Sequence, residues 1–200
     1  MSTLWKIVPV SCLFALCVGC GSSPDIRVSP AFKKLYDKPR TVAVMKFKTS
    51  KFDRQKTGSV FWGIVKAPNA SEAFPSLVTH YANGRMGMKT VPRSEMRELF
   101  DKKNLKEDDI IKRRDLKTVR DLFSADAIII GQVESWYQRY ILFFPTGCID
   151  LSMQCIDSST GNLLWEADYN FRMSGTDDRT TAEGALKSLM DEIEKKVKEE

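Results

Sequence analysis

The chain has 200 residues, of which 42% are hydrophobic and 28% are charged, and its formal net charge is +5 at pH 7. This length suits one folded domain with a hydrophobic core and leaves too little chain for two. Lysines and arginines are spread along the chain and interrupted by acidic residues, whereas a nucleic-acid surface needs a stripe of one sign. No nucleic-acid partner is therefore predicted.

The amino-terminal segment, residues 1–19, has the pattern of a bacterial signal peptide. Lys6 provides a positive charge, and a mostly apolar run follows it over residues 7–18. The run is shorter than the ~20 apolar residues that a membrane-spanning helix needs, and Pro9 and Ser11 interrupt it. Residues 1–19 are therefore predicted to direct export and then to be removed.

The sequence Cys17-Val18-Gly19-Cys20 resembles the lipobox of bacterial lipoproteins. The match departs from the usual pattern at Cys17, where leucine is commonest, and a secretory signal without lipid is the alternative. The resemblance implies that Cys20 is acylated and becomes the first mature residue, held on a membrane by the burial of acyl CH₂ groups worth ~0.8 kcal/mol each. Because Gly21 rather than aspartate follows Cys20, the expected location is the periplasmic face of the outer membrane.

The segment after the lipobox predicts a tether and then the start of a fold. Residues 20–40 contain three prolines and little hydrophobic periodicity, which predicts a lipid anchor and tether. The folded domain is expected over residues 41–200, and it begins with a buried central strand at TVAVMKFKT, residues 41–49. Glycines and a proline interrupt a short apolar patch over residues 51–69, which predicts a long loop.

The middle of the chain predicts helices alternating with strands. Apolar residues recur at helical spacing over 73–81, and a short strand follows. A helix capped by Ser94, an acidic loop and a helix around residues 116–123 come next. The run 125–138 then predicts a strand that is buried at its start and half-exposed near its end at Gln138.

The last part of the chain predicts a hairpin and a long helix. Clean alternation over 149–155 and the segment 163–171 flank a turn sequence, DSSTGN, which predicts a β-hairpin. Thr180 and Glu183 form a capping-box pair before a continuous apolar stripe, which predicts a final helix. The predicted fold is a single α/β domain with a mixed sheet of about five strands and helices packed on it.

Two cysteines remain after removal of the signal peptide and acylation of Cys20. The expected oxidising compartment makes a disulfide between Cys148 and Cys155 the alternative, but if both lie on one strand they are ~23 Å apart, which is too far for that bond. An odd spacing also directs them to opposite faces of the sheet. They are therefore expected as free thiols.

The sequence carries no catalytic or metal-binding motif. The patterns GxSxG, HExxH, GxGxxG, the Walker loop and paired Cys-His zinc spacings are all missing. His80 is the single histidine, and it lies at the border of an apolar helix face, where a structural role is expected. We therefore predict no enzyme activity, no cofactor, no metal site and no small-molecule substrate.

Two segments, 59–65 and 136–144, are rich in aromatic residues beyond what the core requires. If they extend strands, they cover a sheet face. If they lie in loops, they form an apolar patch that a protein partner, a membrane or a second copy covers. The second interpretation gives a candidate partner surface of Phe61, Trp62, Tyr137, Tyr140, Phe143 and Phe144.

The lipobox, TVAVMKF (41–47), VPRSEMRELF (91–100), ADAIIIGQVESW (125–136) and the DSSTGNLLW hairpin (157–165) together resemble a superfamily of periplasmic lipoproteins. Its members include the curli secretion protein CsgG, PelC, the penicillin-binding-protein activator LpoB and the amino-terminal domain of TolB. The resemblance implies an α/β sandwich without enzyme chemistry, acting through envelope proteins or self-association. We expect an accessory or assembly factor of an envelope transport or secretion system; the alternative is an activator of peptidoglycan synthesis.

Overall fold

The computed structural model describes residues 23–34, 36–49, 57–58, 62–66, 69–141 and 144–199, with the backbone alone for 57–58, 62–66, 140–141 and 144. Within these residues one mixed sheet of nine strands carries six helices. The predicted α/β class, mixed sheet and single domain are confirmed, and the sheet has more strands than the predicted number of about five.

The strands are β1 (Asp25–Val28), β2 (Arg40–Val44), β3 (Lys48–Thr49), β4 (Thr57–Gly58), β5 (Trp62–Lys66), β6 (Met88–Thr90), β7 (Ala127–Ile141), β8 (Phe144–Asp157) and β9 (Leu163–Ser174). The helices are α1 (Pro30–Lys33), α2 (Ala70–Ala82), α3 (Arg93–Lys102), α4 (Glu107–Arg113), α5 (Leu116–Phe123) and α6 (Asp178–Lys198). The spatial order is β1-β9-β8-β7-β2-β6; β3 and β5 also pair with β7, and β4 pairs with β5. β2 runs parallel to β6 and β7, whereas β8 runs antiparallel to both of its neighbours, β7 and β9.

The fold begins earlier than predicted. β1 pairs antiparallel with β9 along its whole length. Ser29 caps α1 by accepting a hydrogen bond from the Phe32 N–H, and the Phe32 side chain is buried in the core. The tether predicted over 20–40 is therefore wrong from Asp25 onward, because a four-residue strand is too short for its alternation to be recognised.

The hairpin of β7 and β8 is longer than predicted. β7 does not end near Gln138 but continues to Ile141, and β8 begins at Phe144, with one register shift along the pair. β5 pairs antiparallel with the outer half of β7, so part of the loop predicted over 51–69 belongs to the sheet. Pairing with neighbouring strands determines the length of β7 and the strand conformation of β5, and the local sequence pattern does not show this pairing.

Local chemistry explains further departures from the prediction. α4 occupies the segment predicted as an acidic loop. Pro75 lies inside α2, where its missing N–H leaves the Ser71 carbonyl without a helical partner, and the Phe47 N–H donates to that oxygen at 3.3 Å. Asp177, rather than Thr180, caps α6 by accepting a hydrogen bond from the Thr180 N–H.

The two faces of the sheet are covered unequally. On one face, which we call the covered face, α1, α2 and α6 enclose a large core that includes Phe74, Trp165 and Leu186. On the opposite face, α3, α4 and α5 pack around a smaller core over β2 and the beginning of β7. The rest of that second face, over β8 and β9, we call the open face. Cys148 is buried on this face, but most of its side chains are polar and at least partly exposed: Asp150, Ser152, Gln154, Asp168, Asn170 and Arg172.

Candidate functional site

The structure brings the two aromatic segments together at one end of the sheet. Trp62 of β5 lies opposite Ile141 of β7. Ile141 in turn lies opposite Phe144 of β8. We call this region the hairpin end; it comprises residues 62–66, 137–141 and 144–148.

The candidate residues lie in strands as far as the structure describes them. Trp62, Tyr137, Tyr140 and Phe144 all belong to the paired strands of the hairpin end. Phe61 and Phe143 lie outside the described residues, and so does the predicted acylation site, Cys20. A partner that covers these residues stays a prediction.

Hydrogen bonds fix the hairpin end to the start of α6. Trp136 Nε1 donates to the Asp178 carbonyl at 3.0 Å, and its ring packs edge-on against Phe74 with centroids 5.0 Å apart. Gln138 Nε2 donates to the Thr176 carbonyl at 3.1 Å. These two bonds, one at the border of the hairpin end and one within it, hold the outer part of β7 against the start of α6.

Gly147 permits the close approach of β8 to α6. A Cβ atom built on Gly147 would lie 2.0 Å from Thr181 Oγ1, well inside contact distance. A larger residue at this position would therefore move the strand away from the helix. The hairpin end depends on this glycine for its position.

A phenol and two cations lie together on the open face of the hairpin end. Tyr137 lies opposite Cys148 of β8, which lies opposite Arg172 of β9. Burial raises the pKa of Tyr137, Cys148 raises it further, and Arg172 and Arg139 oppose the increase. Both arginine side chains are exposed, and neither forms an ion pair with another residue that the structure describes.

A groove of about 290 Å³ crosses the open face beside α4, and we call it the open-face groove. One cation from β3 and one that follows the end of α4 line it at one side, carboxylates from β9 line it at the other, and polar side chains of β7 and β8 lie between. These residues are Lys48, Arg114, Glu166, Asp168, Gln132, Ser152 and Gln154. No sequence pattern indicates the groove, since its residues come from distant parts of the chain.

Charges in the open-face groove are paired on one side and unpaired on the other. Glu166 accepts hydrogen bonds from Gln154 Nε2 at 3.2 Å and from Arg27 of β1 at 3.0 Å. Lys48 and Arg114 are exposed, and neither forms an ion pair within the described ranges. The groove therefore presents two available cations to an incoming acidic group.

The described part of the chain holds no group of three or more His, Cys, Asp or Glu side chains that could bind a metal ion. His80 is exposed on α2, and its ring packs edge-on against Tyr81.

The two cysteines, Cys148 and Cys155, are free thiols on one strand, as predicted. Both are buried, and burial raises the pKa of Cys155 to about 12. Among the helices described, each is too short or too polar to cross a membrane.

Comparisons with known proteins agree with this fold. Residues 65–199 match the model of the GNA1162-like lipoprotein family. Comparison with curated proteins gave no significant match. The structure of lipoprotein GNA1162 from Neisseria meningitidis is similar, with a TM-score of 0.56 and 14% identity over 78% of this chain and 98% of that chain.

Two further solved structures belong to proteins of the predicted superfamily. A PelC dodecamer from Paraburkholderia phytofirmans gives a TM-score of 0.52 and 15% identity over 87% of this chain and 98% of that chain. The LpoB C-terminal domain from Salmonella enterica gives a TM-score of 0.37 and 14% identity over 73% of this chain and 96% of that chain. The predicted resemblance is confirmed, and at these identities the likenesses show the fold alone.

Proposed function

Because the chain belongs to the GNA1162-like lipoprotein family, we propose that it is anchored by an acylated Cys20 to the periplasmic face of the outer membrane. There it acts without enzyme chemistry, as an accessory or assembly factor of an envelope transport or secretion system. Family membership supports the lipoprotein character and the envelope location. The open-face groove carries the proposal of a binding role, because its charges suit recognition of another surface.

The partner of the open-face groove is a protein with an acidic segment. Lys48 and Arg114 offer it unpaired cations, while Gln132, Ser152 and Gln154 offer hydrogen-bonding groups along the floor of the groove. Such a polar, partly charged surface is typical of contacts that form between separately folded proteins. Self-association is a second mode of action, and the dodecameric assembly of the similar protein PelC supports it.

The position of β1 argues against the alternative role as an activator of peptidoglycan synthesis. Since the sheet begins at Asp25, the chain from Cys20 to Asp25 spans at most ~18 Å when fully extended. A domain held this close to the outer membrane has little reach toward a synthase in the inner membrane. The short anchor therefore supports a partner located at or beside the outer membrane.

Acylation of Cys20 is tested by following the processing of the full-length chain. With globomycin, or after Cys20→Ala, we expect an uncleaved precursor, and we expect labelled palmitate to be incorporated into the unaltered protein alone. Normal cleavage of the Cys20→Ala chain without palmitate incorporation would show a secretory signal without lipid.

Partner binding is tested by placing a photo-crosslinking residue at Gln154 in the groove and, as a control, at Lys117 on α5. We expect discrete crosslinked products from position 154 and none from position 117. Arg114→Glu should abolish them by repelling an acidic partner, whereas Arg113→Glu, an exposed neighbour outside the groove, should leave them in place. Equal crosslinking in both charge variants would remove the groove from the proposal.

A further inference from the structure

β1 fixes the direction in which the amino-terminal anchor leaves the domain. β1 is antiparallel to β9, with Asp25 opposite Asp168. Traced backward from Asp25, the chain therefore points along the direction in which β9 runs forward, toward Ser174. Ser174 lies opposite Thr146, which belongs to the hairpin end. The residues that precede β1 thus leave the sheet toward the hairpin end.

The distance that remains to the anchor is short. Ser23 and Pro24 are described, so residues 20–22 are the part of the mature chain that precedes the described residues. From Asp25, the extended chain reaches ~18 Å to Cys20. The hairpin end extends ~27 Å beyond the level of Asp25, measured along β8 from Ser152 to Phe144. An anchor that continued the line of β1 would therefore end ~10 Å short of the level of the last hairpin residues, measured along the strands, and ~10 Å to the side of β8, two strands away.

The residues at the hairpin end suit the boundary between lipid headgroups and acyl chains. The strands there end in Trp62, Tyr140, Ile141 and Phe144. Tryptophan and tyrosine are enriched at this boundary because they combine an apolar ring with a polar group. Arg139 and Arg172 lie exposed beside Tyr137, where guanidinium groups can bind phosphate headgroups. The other end of the β8–β9 hairpin is the polar turn 158–162.

We propose that the hairpin end docks on the lipid surface in which Cys20 is anchored, with its aromatic residues at the headgroup boundary and its two arginines on anionic headgroups. This inference rests on the proposed acylation of Cys20. A lipid surface is favoured over a second copy or a protein partner, because the direction and length of the anchor bring the membrane to this end of the sheet. The open-face groove, nearer the middle of the sheet, remains accessible from the periplasm.

The docking is tested with the mature, acylated protein reconstituted into vesicles of phosphatidylethanolamine and phosphatidylglycerol, with and without acyl-chain bromination. Brominated lipids quench tryptophan fluorescence on contact. We expect clear quenching in the unaltered protein and much weaker quenching in Trp62→Phe, where Trp165 in the buried core and the half-buried Trp136 provide the remaining emission. Thermal unfolding of both proteins checks that Trp62→Phe leaves the fold intact.

Each other outcome separates this inference from the proposed function. Protein that sediments with the vesicles, but is quenched equally with and without Trp62, would overturn the docking and leave the anchor in place. Purified protein that carries no lipid and stays off the vesicles would overturn the acylation and the docking with it. The headgroup contact is tested with a matched pair of variants. Arg172→Gln should weaken the dependence of quenching on phosphatidylglycerol, whereas the control Lys117→Gln on α5 should leave it unchanged. If quenching depends on phosphatidylglycerol to the same extent in both variants, the headgroup contact is contradicted.

Discussion

The covered and open faces belong to the same strands but are built differently. On the covered face, the long helices α2 and α6 bury large apolar side chains from alternate positions of β7, β8 and β9. On the open face, the intervening positions of β8 and β9 are polar and partly exposed. One set of strands therefore supplies stability on one side and a binding surface on the other, because successive side chains point in opposite directions.

The short helices beside the open face are held by a buried ion pair as well as by apolar packing. Arg93 of α3 donates two hydrogen bonds to Glu107 of α4, at 2.8 and 3.0 Å, and a third to the Val44 carbonyl. Glu107 also accepts from the Lys46 N–H at 2.6 Å. The side chains of Arg93 and Glu107 are 6% and 12% exposed, so neither charge has water as a substitute partner.

The largest expected effect comes from comparing neighbours on β8 that point to opposite faces. Leu151 is buried on the covered face, and Leu151→Ala should lower the free energy of unfolding by about 4 kcal/mol through lost apolar contacts and a cavity. Ser152→Ala on the open face should change it by less than about 0.5 kcal/mol. Urea unfolding of both variants measures the difference, and similar losses at the two positions would contradict the division into two faces.

The next effect concerns the layer of short helices. Glu107→Ala removes both hydrogen bonds to the buried Arg93 guanidinium and leaves it only the longer ion pair to Glu72, at 3.7 Å, so we expect a loss of about 3 kcal/mol in the free energy of unfolding. Asp109→Ala, an exposed change on the same helix, is the control and should cost far less. The double variant Arg93→Met with Glu107→Leu should recover much of the loss, since it leaves no unpaired charge. Denaturant curves showing no recovery would mean that Glu107 acts through packing rather than through charge.

The smallest effect is a dependence of stability on pH at the turn between β8 and β9. Burial tends to raise the pKa of Asp157, but hydrogen bonds from Ser159 and Thr160 outweigh it and hold the pKa below its ordinary value of 3.8. A carboxyl group with a lowered folded-state pKa stabilises the fold above its unfolded pKa, and the stabilisation is lost as pH falls through the folded value. Below about pH 4, the unaltered protein should therefore lose stability more steeply than Asp157→Asn, in which the turn is retained. Identical pH profiles from thermal unfolding would contradict this role.

Patterns that extend over many residues predicted the fold correctly. The β8–β9 hairpin and the apolar stripe of α6 are found where periodicity places them, and the buried central strand is found as β2, although it ends at Val44 rather than at residue 49. The secondary structure of each of these elements follows largely from the apolar pattern of its own residues. They are also the elements that form the covered face and its core.

Elements that depend on distant partners were not predictable in the same way. β1 is four residues long and owes its structure to β9, while α4 is fixed by the contact of Glu107 with Arg93. The outer half of β7 is polar in places, and its pairing with β5 and β8 keeps it extended. The open-face groove has no sequence signature for the same reason, since Lys48, Arg114 and Glu166 become neighbours through tertiary structure alone.

If the chain is exported and acylated at Cys20 as proposed, the pairing of β1 with β9 sets the order in which it matures. Arg27 and Glu166, which meet across these two strands, are 139 residues apart in the sequence. β1 can join the sheet only when nearly the whole chain has crossed the inner membrane, so pairing of β1 is a late event. Until then, the proposed acylation site at Cys20 would precede an unpaired strand and would be open to the enzymes that acylate and cleave lipoproteins. The topology thus separates in time the processing of the amino terminus from the closure of the fold.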